Sequence, residues 1–206
     1  MISAIISDPR IEFFDSIADK WDAGHDLPVL ARDLDACLAQ FDINESEAVL
    51  DVGCGTGNLT RALLRRLGPA GRVMALDIST RMLALAQGKV SDARVTWHHA
   101  SADKLPIEDE SIDRVICFSV WPHFGNHAAV AREFHRVLRP GRYLHILHLI
   151  SRAKVNRIHE EAHPSVKHDH LVPTGETADL LKKNRFNVIS MTDDEQRYII
   201  TACKKG

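Results

Sequence analysis

The stretch that most restricts how this chain can fold is Ala48-Val49-Leu50-Asp51-Val52-Gly53-Cys54-Gly55-Thr56-Gly57-Asn58. An apolar run delivers an acidic residue, and three glycines follow at alternate positions. A short apolar run that ends at a turn signal reads as a buried strand. Glycines placed directly after it let the backbone turn sharply and let a ligand approach with no Cβ in the way. A helix opening at Asn58 then presents free N–H groups to the same space.

The unit repeats along the chain. Arg72 to Ile78 is a second strand and ends near another acid, Asp77. Val95 to His98, Ile112 to Ser119 and Tyr143 to Leu149 read as three more strands. Helices are expected between them over about 58–67, 79–89 and 127–138, the last closed by Pro140 and Gly141. Alternating strands and helices predict a parallel sheet with helices on both faces. Ahead of this core, Ile11, Phe14, Ile17, Ala18 and Trp21 share one helical face, and a second helix is expected over 28–41. Behind it, helical pattern covers 152–162 and 176–184, with a polar loop at 163–173. Phe186 to Met191 and Gln196 to Ala202 form an expected antiparallel hairpin. The predicted fold is α/β, a doubly wound, mostly parallel seven-stranded sheet with that hairpin at its C-terminal end.

A chain of 206 residues suits one domain. We divide it into cap helices (1–45), a core (46–150), and a lid segment with the hairpin (151–206). The net charge of −2 offers no general attraction for nucleic acid or an anionic membrane. Cys37, Cys54, Cys117 and Cys203 are widely spaced, as expected of reduced thiols in the cytoplasm. The opening MISAIISDPR has no basic segment typical of a signal peptide, and no apolar run approaches the roughly 18–20 residues of a membrane span. A cytoplasmic monomer or homodimer is expected.

The glycine loop is not the dinucleotide fingerprint G-x-G-x-x-G, because Asn58 stands where the third glycine belongs. Nor does G-K-[ST] follow, as a P-loop requires. Asp77, 26 positions beyond Asp51, can accept hydrogen bonds from both hydroxyls of a ribose. Asp103 follows the third strand and can accept from an exocyclic amine. Each of the two also has a plainer reading, as a helix cap or a solvated loop charge.

Taken in order, these segments resemble the class I S-adenosylmethionine-dependent methyltransferases of the small-molecule type, similar to the ubiquinone and menaquinone biosynthesis enzymes. The resemblance is carried by VLDVGCGTGNLT (49–60), MALDIS (74–79), ASADKLP (100–106), SIDRVICFSVWPHF (111–124) and EFHRVLRPG (133–141), and more loosely by FFDSIADKWD (13–22). It implies a Rossmann-like fold and S-adenosylmethionine as cofactor, with S-adenosylhomocysteine as product. It also implies a cofactor site at Asp51, Gly53, Cys54, Gly55, Gly57, Asp77, Ile78, Met82, Ala102, Asp103 and Ser119. Two departures stand out. The family's Pro-Gly-Gly before strand five is Pro140-Gly141-Arg142 here, and its frequent His-His pair is Pro122-His123.

Twelve histidines are many for this length. His123 and His148 fall at strand ends where an acceptor would lie, and either is a candidate acceptor-facing residue or base. His159 and His163 are spaced i, i+4, and His168 and His170 follow. With His148 these make a speculative divalent-metal set, and chance enrichment on a solvated helix is the plainer reading. The expected function is methyl transfer to a small molecule by in-line displacement, with no nucleic-acid partner. The first 25 residues and segment 152–173 are expected to close over the site. The alternatives are a non-catalytic S-adenosylmethionine-binding protein and a nicotinamide-dependent oxidoreductase, against which Asn58 counts.

Overall fold

The computed structural model describes residues 8–205. The opening MISAIIS, where part of the signal-peptide and cap-segment readings falls, and Gly206 lie outside the described residues. The strands are β1 (Ala48–Val52), β2 (Arg72–Asp77), β3 (Val95–His99), β4 (Ile112–Phe118), β5 (Leu138–His148), β6 (Phe186–Asp193) and β7 (Tyr198–Lys204). They form one sheet in the order β3-β2-β1-β4-β5-β7-β6. The first five pair in parallel. The hairpin inserts β7 antiparallel beside β5 and leaves β6 at the edge.

Among the described residues seven α-helices cover the sheet: α1 (Pro9–Trp21), α2 (Leu27–Leu38), α3 (Asn58–Leu64), α4 (Thr80–Lys89), α5 (His127–Val137), α6 (Arg152–Glu160) and α7 (Thr174–Lys183). Most of their starts are written locally. The side chains of Asp8, Asp26, Ser79, Asn126 and Ser151 each accept a backbone N–H of the first turn. Such caps stabilise a helix by about 1 kcal/mol each.

Alternation along the strands divides the core into two layers. Leu50, Val52, Val115 and Cys117 pack with Val130, Phe134 and Leu181 of α5 and α7. Val49 and Ile116 pack with Leu34, Leu38, Ala62 and Leu63 of α2 and α3. The central strands are buried on both faces, which is why they read as continuous apolar runs. All four cysteines are free.

A buried ion pair interrupts this core. Arg114 on β4 donates to both carboxylate oxygens of Glu47, at 2.7 and 2.9 Å. It also donates to His145 Nε2 at 2.7 Å, while His145 Nδ1 donates to Thr201 Oγ1 at 3.0 Å. Both charges are buried and each is met by a partner, the condition under which buried ions are tolerated.

Around Pro140 the expectation needs correcting. The helix ends at Val137, and strand pairing begins at Leu138 opposite Ile112, with a register shift before Arg114 meets Tyr143. Arg142, the residue that replaces a family glycine, reaches Asp113 at 3.4 Å, and Arg139 reaches it at 2.7 Å. The other Asp113 oxygen accepts the N–H of Ala48 at 2.9 Å and so ties β4 to the start of β1. None of the helices is long and apolar enough to cross a membrane, among the described residues.

Candidate active site

The strand order reverses at β1, whose neighbours are β2 and β4. In open parallel sheets the crevice beyond the carboxyl ends at such a point is where ligands bind. Here that crevice is a cavity of about 330 Å³, within the usual range for small-molecule sites.

Its floor is the glycine loop. The chain leaves β1 through Gly53 (φ +65°) and Gly55 (φ +53°), a region that only glycine enters without strain. The two are glycines for different reasons. A Cβ on Gly53 would lie 2.4 Å from Val120 Cγ2, so that position is closed by packing. A Cβ on Gly55 would meet nothing within 4 Å, yet Gly55 lines the cavity. Its bare backbone therefore faces ligand space. Cys54 N–H donates to Leu76 O at 2.9 Å and locks the loop onto the end of β2.

Asp77 ends β2 and is only 8% exposed. Its Oδ2 accepts Gly55 N–H at 2.8 Å and its Oδ1 accepts Ser79 N–H at 2.9 Å. Each oxygen keeps a further lone pair for a ligand hydroxyl. Burial pushes the Asp77 carboxyl up, against the pull of those backbone donors. Asp51 lies deeper and accepts from Thr60 Oγ1 at 2.6 Å. Burial, opposed by that bond and aided by the Asp77 charge, pushes it up to about 7. A cationic ligand group would therefore find two carboxyls at the floor that gain from a positive neighbour. Ile78, Met82, Ala102 and the exposed Asp103 complete this wall.

A bare-backbone approach at Gly55, a buried carboxylate with free lone pairs and a second acid on the same wall fit an adenosyl group. Of the eleven cofactor positions expected from sequence, ten line the cavity. Gly57 is the correction. It caps α3 with φ +85°, and a Cβ there would press on Ala86 of α4 at 3.3 Å, so it serves helix packing.

The opposite wall comes from distant segments. Phe118 ends β4 and Ser119, Val120, His123 and Phe124 follow it, while Phe14, Trp21 and Leu30 come from the cap helices. Ser119 adopts φ +55°, which costs a non-glycine residue roughly 1–2 kcal/mol. Its N–H donates to Leu147 O at 2.9 Å.

Helix α1 lies against α4 and is pinned at each turn. Asp15 accepts from Ser79 Oγ and from Arg81 N–H. Asp19 pairs with Arg81 at 2.8 Å. Asp22, at the end of α1, pairs with Lys89 and accepts from Thr56 Oγ1 at 2.6 Å and Asn58 Nδ2 at 3.3 Å. Thr56 in the glycine loop and Asn58 at the start of α3 thus anchor this turn to the cap.

The histidines separate. His123 lines the cavity, and its Nδ1 donates to Asp169 Oδ2 at 2.8 Å. His148 does not reach the cavity wall. It is 2% exposed, its neighbour across the sheet is Tyr198, and its Nε2 has no partner. Insertion of β7 beside β5 covers it, and burial, with His123 and His159 nearby, lowers it to about 3.

The speculative metal set is not gathered either. His159 Nδ1 donates to the backbone carbonyl of Asp169. His163 stacks on Phe13 with ring centroids 5.5 Å apart and bonds Ser165. His168 and His170 are exposed. Among the described residues no group of three or more His, Cys, Asp or Glu side chains is arranged to hold a metal ion.

Two residues stand out that sequence reasoning passed over. Arg10 donates to Asp169 through Nε at 2.8 Å and Nη2 at 2.6 Å. No periodicity or motif links positions 10, 123 and 169.

A family model described as a methyltransferase domain matches residues 49–141. The chain is 33% identical over 143 residues to the ubiquinone/menaquinone biosynthesis C-methyltransferase of Hahella chejuensis, covering 65% of this chain and 57% of that protein. It is 29% identical over 203 residues to the malonyl-[acyl-carrier protein] O-methyltransferase of a Marinomonas species, covering 93% and 74% respectively. The chain thus spans little more than half the length of the quinone-pathway relative.

Among solved structures, a SAM-dependent methyltransferase from Aquifex aeolicus superposes with a TM-score of 0.76 at 21% identity, over 92% of this chain and 97% of that one. A phosphoethanolamine N-methyltransferase of Haemonchus contortus, solved with S-adenosylhomocysteine, gives 0.67 at 20% identity, over 83% and 52%. At such identities the likeness is one of fold. Residues 49–141 thus match a methyltransferase domain within a fold shared with class I S-adenosylmethionine-dependent methyltransferases, and the chain is similar to the quinone-pathway enzymes among them.

Proposed function

We propose that this protein transfers a methyl group from S-adenosylmethionine to a small-molecule acceptor. The observation that carries the reading is the pairing of Gly55's bare backbone with Asp77 on one wall of a cavity whose other wall is aromatic and bears His123. When bound, the cofactor supplies a methyl already activated by its sulfonium charge. Asp77 would hold the ribose, Asp103 the adenine amine, and the acidic floor at Asp51 the cationic amino-acid end. Phe14 and Trp21 on α1 exclude water from the reacting atoms, and the enclosure aligns acceptor, carbon and sulfur for in-line displacement. The cap over the cavity supports a small acceptor rather than a polymer. We read residues 1–206 as one working unit, with 1–45 as cap and 151–206 as lid and hairpin.

Calorimetry tests the first half. S-adenosylhomocysteine should bind, NAD should not, and Asp77→Ala should weaken binding. Release of S-adenosylhomocysteine during incubation with small acceptors tests the second. Tight binding with no product from any acceptor would leave a binding protein and sink the catalytic reading.

A further inference from the structure

Three segments far apart in the chain meet at the acceptor wall. Asp169, in the loop between α6 and α7, is 6% exposed, and both its oxygens are used. Oδ1 accepts from Arg10 Nη2 at 2.6 Å. Oδ2 accepts from Arg10 Nε at 2.8 Å and from His123 Nδ1 at 2.8 Å. None of the described residues hydrogen-bonds to His123 Nε2, which is not among the buried polar atoms left without a partner. His123 also packs edge-on against Phe14, with centroids 5.1 Å apart.

We propose that Asp169 is a positioning residue that fixes His123 as the Nδ1–H tautomer, leaving Nε2 as the base for an acceptor that must lose a proton. The inference rests on the methyl-transfer reading and adds to it a requirement on the acceptor.

A carboxylate that only accepts forces the proton onto the facing ring nitrogen. Burial raises the Asp169 carboxyl, but the hydrogen bonds from His123 and Arg10 outweigh it and hold it at about 2. It is therefore ionised at any working pH. The other groups facing His123 are Arg10 with its second partner Asp8 on the cap side, His159 on α6 at 4.7 Å between ring centroids, and His148 on β5. Burial lowers both His159 and His148. Of the three imidazoles only His123 contacts a carboxylate.

The step balances without another reagent. The acceptor atom X forms a bond to the methyl carbon, and the carbon–sulfur bond breaks with its electron pair going to sulfur, which leaves as a neutral thioether. The proton on X passes to His123 Nε2, and Asp169 stabilises the imidazolium across Nδ1. The arrangement exists only while the loop bearing Asp169 is docked on α1, so closing the site and assembling the base are one event.

The test measures S-adenosylhomocysteine release from S-adenosylmethionine with a series of substituted phenols graded in acidity. Wild type, Asp169→Asn and His123→Gln are compared, and calorimetry of S-adenosylhomocysteine is run on each. With the least acidic phenol both variants should lose about 100-fold or more in kcat, the usual scale for a general base. The loss should shrink steadily as the phenols become acidic enough to ionise unaided. Cofactor affinity should stay within a few-fold of wild type. Long-range ¹H–¹⁵N spectra with S-adenosylhomocysteine bound should show His123 protonated on Nδ1 in wild type and on Nε2 in Asp169→Asn.

A loss equal across the series, a wild-type Nε2–H tautomer, or cofactor affinity falling in parallel with rate would each overturn the proposal. So would a wild type that binds the cofactor and turns over no phenol, a result that leaves the cofactor reading standing. Absence of cofactor binding would instead defeat the methyl-transfer reading itself.

Discussion

The two walls of the cavity are built by different means. The cofactor wall uses short contiguous segments at the ends of adjacent strands. Its geometry is set by backbone groups: Cys54 N–H on Leu76 O, and Gly55 and Ser79 N–H on Asp77. The acceptor wall is assembled from side chains. Arg10 and Asp169 are separated by 159 positions, and His123 and Asp169 by 46. The first wall follows from forming the sheet. The second exists only when the cap and the loop after α6 are docked. A family can therefore keep the cofactor wall constant while the acceptor wall varies. The family match over residues 49–141 includes His123 but neither Arg10 nor Asp169.

If the walls are separable, changes in one should spare the other. The largest effect is expected from Gly55→Val, which puts a branched side chain into ligand space. It should lower S-adenosylhomocysteine affinity by roughly two orders of magnitude, with the backbone strain at this φ adding about 1–2 kcal/mol to the cost of folding. Calorimetry and a melting curve read the two separately. Retained affinity would mean that the bare face of Gly55 does not meet the ligand.

Asp77→Ala comes next. Losing hydrogen bonds to a charged group costs about 1.5–3 kcal/mol, or roughly 10- to 150-fold in affinity. Arg10→Ala tests the other wall. It strips a buried carboxylate of its cation, so thermal stability should fall by about 1–3 kcal/mol while cofactor affinity changes only a few-fold. A matching collapse in affinity would show that the walls are coupled.

Two buried groups of the central sheet should also answer pH with opposite sign. Asp51 is raised from an unfolded value of about 3.9 to about 7 in the fold. Its favourable contribution is complete below pH 4 and is lost as pH rises through 7. His148 is lowered from about 6.5 to about 3, so its contribution is complete above pH 6.5 and is lost as pH falls toward 3. Stability measured from pH 4 to 8 should tilt toward alkaline loss in His148→Gln and toward acid loss in Asp51→Asn. Identical profiles in the two variants would contradict the assignment. The smallest effect is expected at the edge of the cap. Lys89→Ala breaks a partly exposed pair with Asp22 and should shift stability by about 0–1 kcal/mol.

Much of this molecule was legible from residue order. Ala48–Val52 and Ile112–Phe118 are buried on nearly every residue and Arg72–Asp77 on most, so their apolar runs announce them, and Asp51 and Asp77 stand at the ends of the first two strands. Caps at Asp26, Ser79 and Asn126 are local hydrogen bonds that need no tertiary partner. The Pro140 region was misread because its conformation depends on Asp113, which holds Arg139, Arg142 and the N–H of Ala48 together. Gly57 was misassigned because a glycine needed for packing on Ala86 looks, in sequence, like one needed by a ligand. The histidines misled for a similar reason. The i, i+4 spacing of His159 and His163 places them on one face, but the first turns to the carbonyl of Asp169 and the second to Phe13.

The chain's order alone determined that a parallel sheet would present a glycine bend and carboxylates at neighbouring strand ends. Those features are separated by single strands and helices, and strand periodicity places each of them. Tertiary structure alone decided which imidazole meets the cavity and which is sealed under β7, and that Asp169 stands between Arg10 and His123. Such contacts join residues whose spacing carries no signal, and they form only when docking removes water from the charges that meet there.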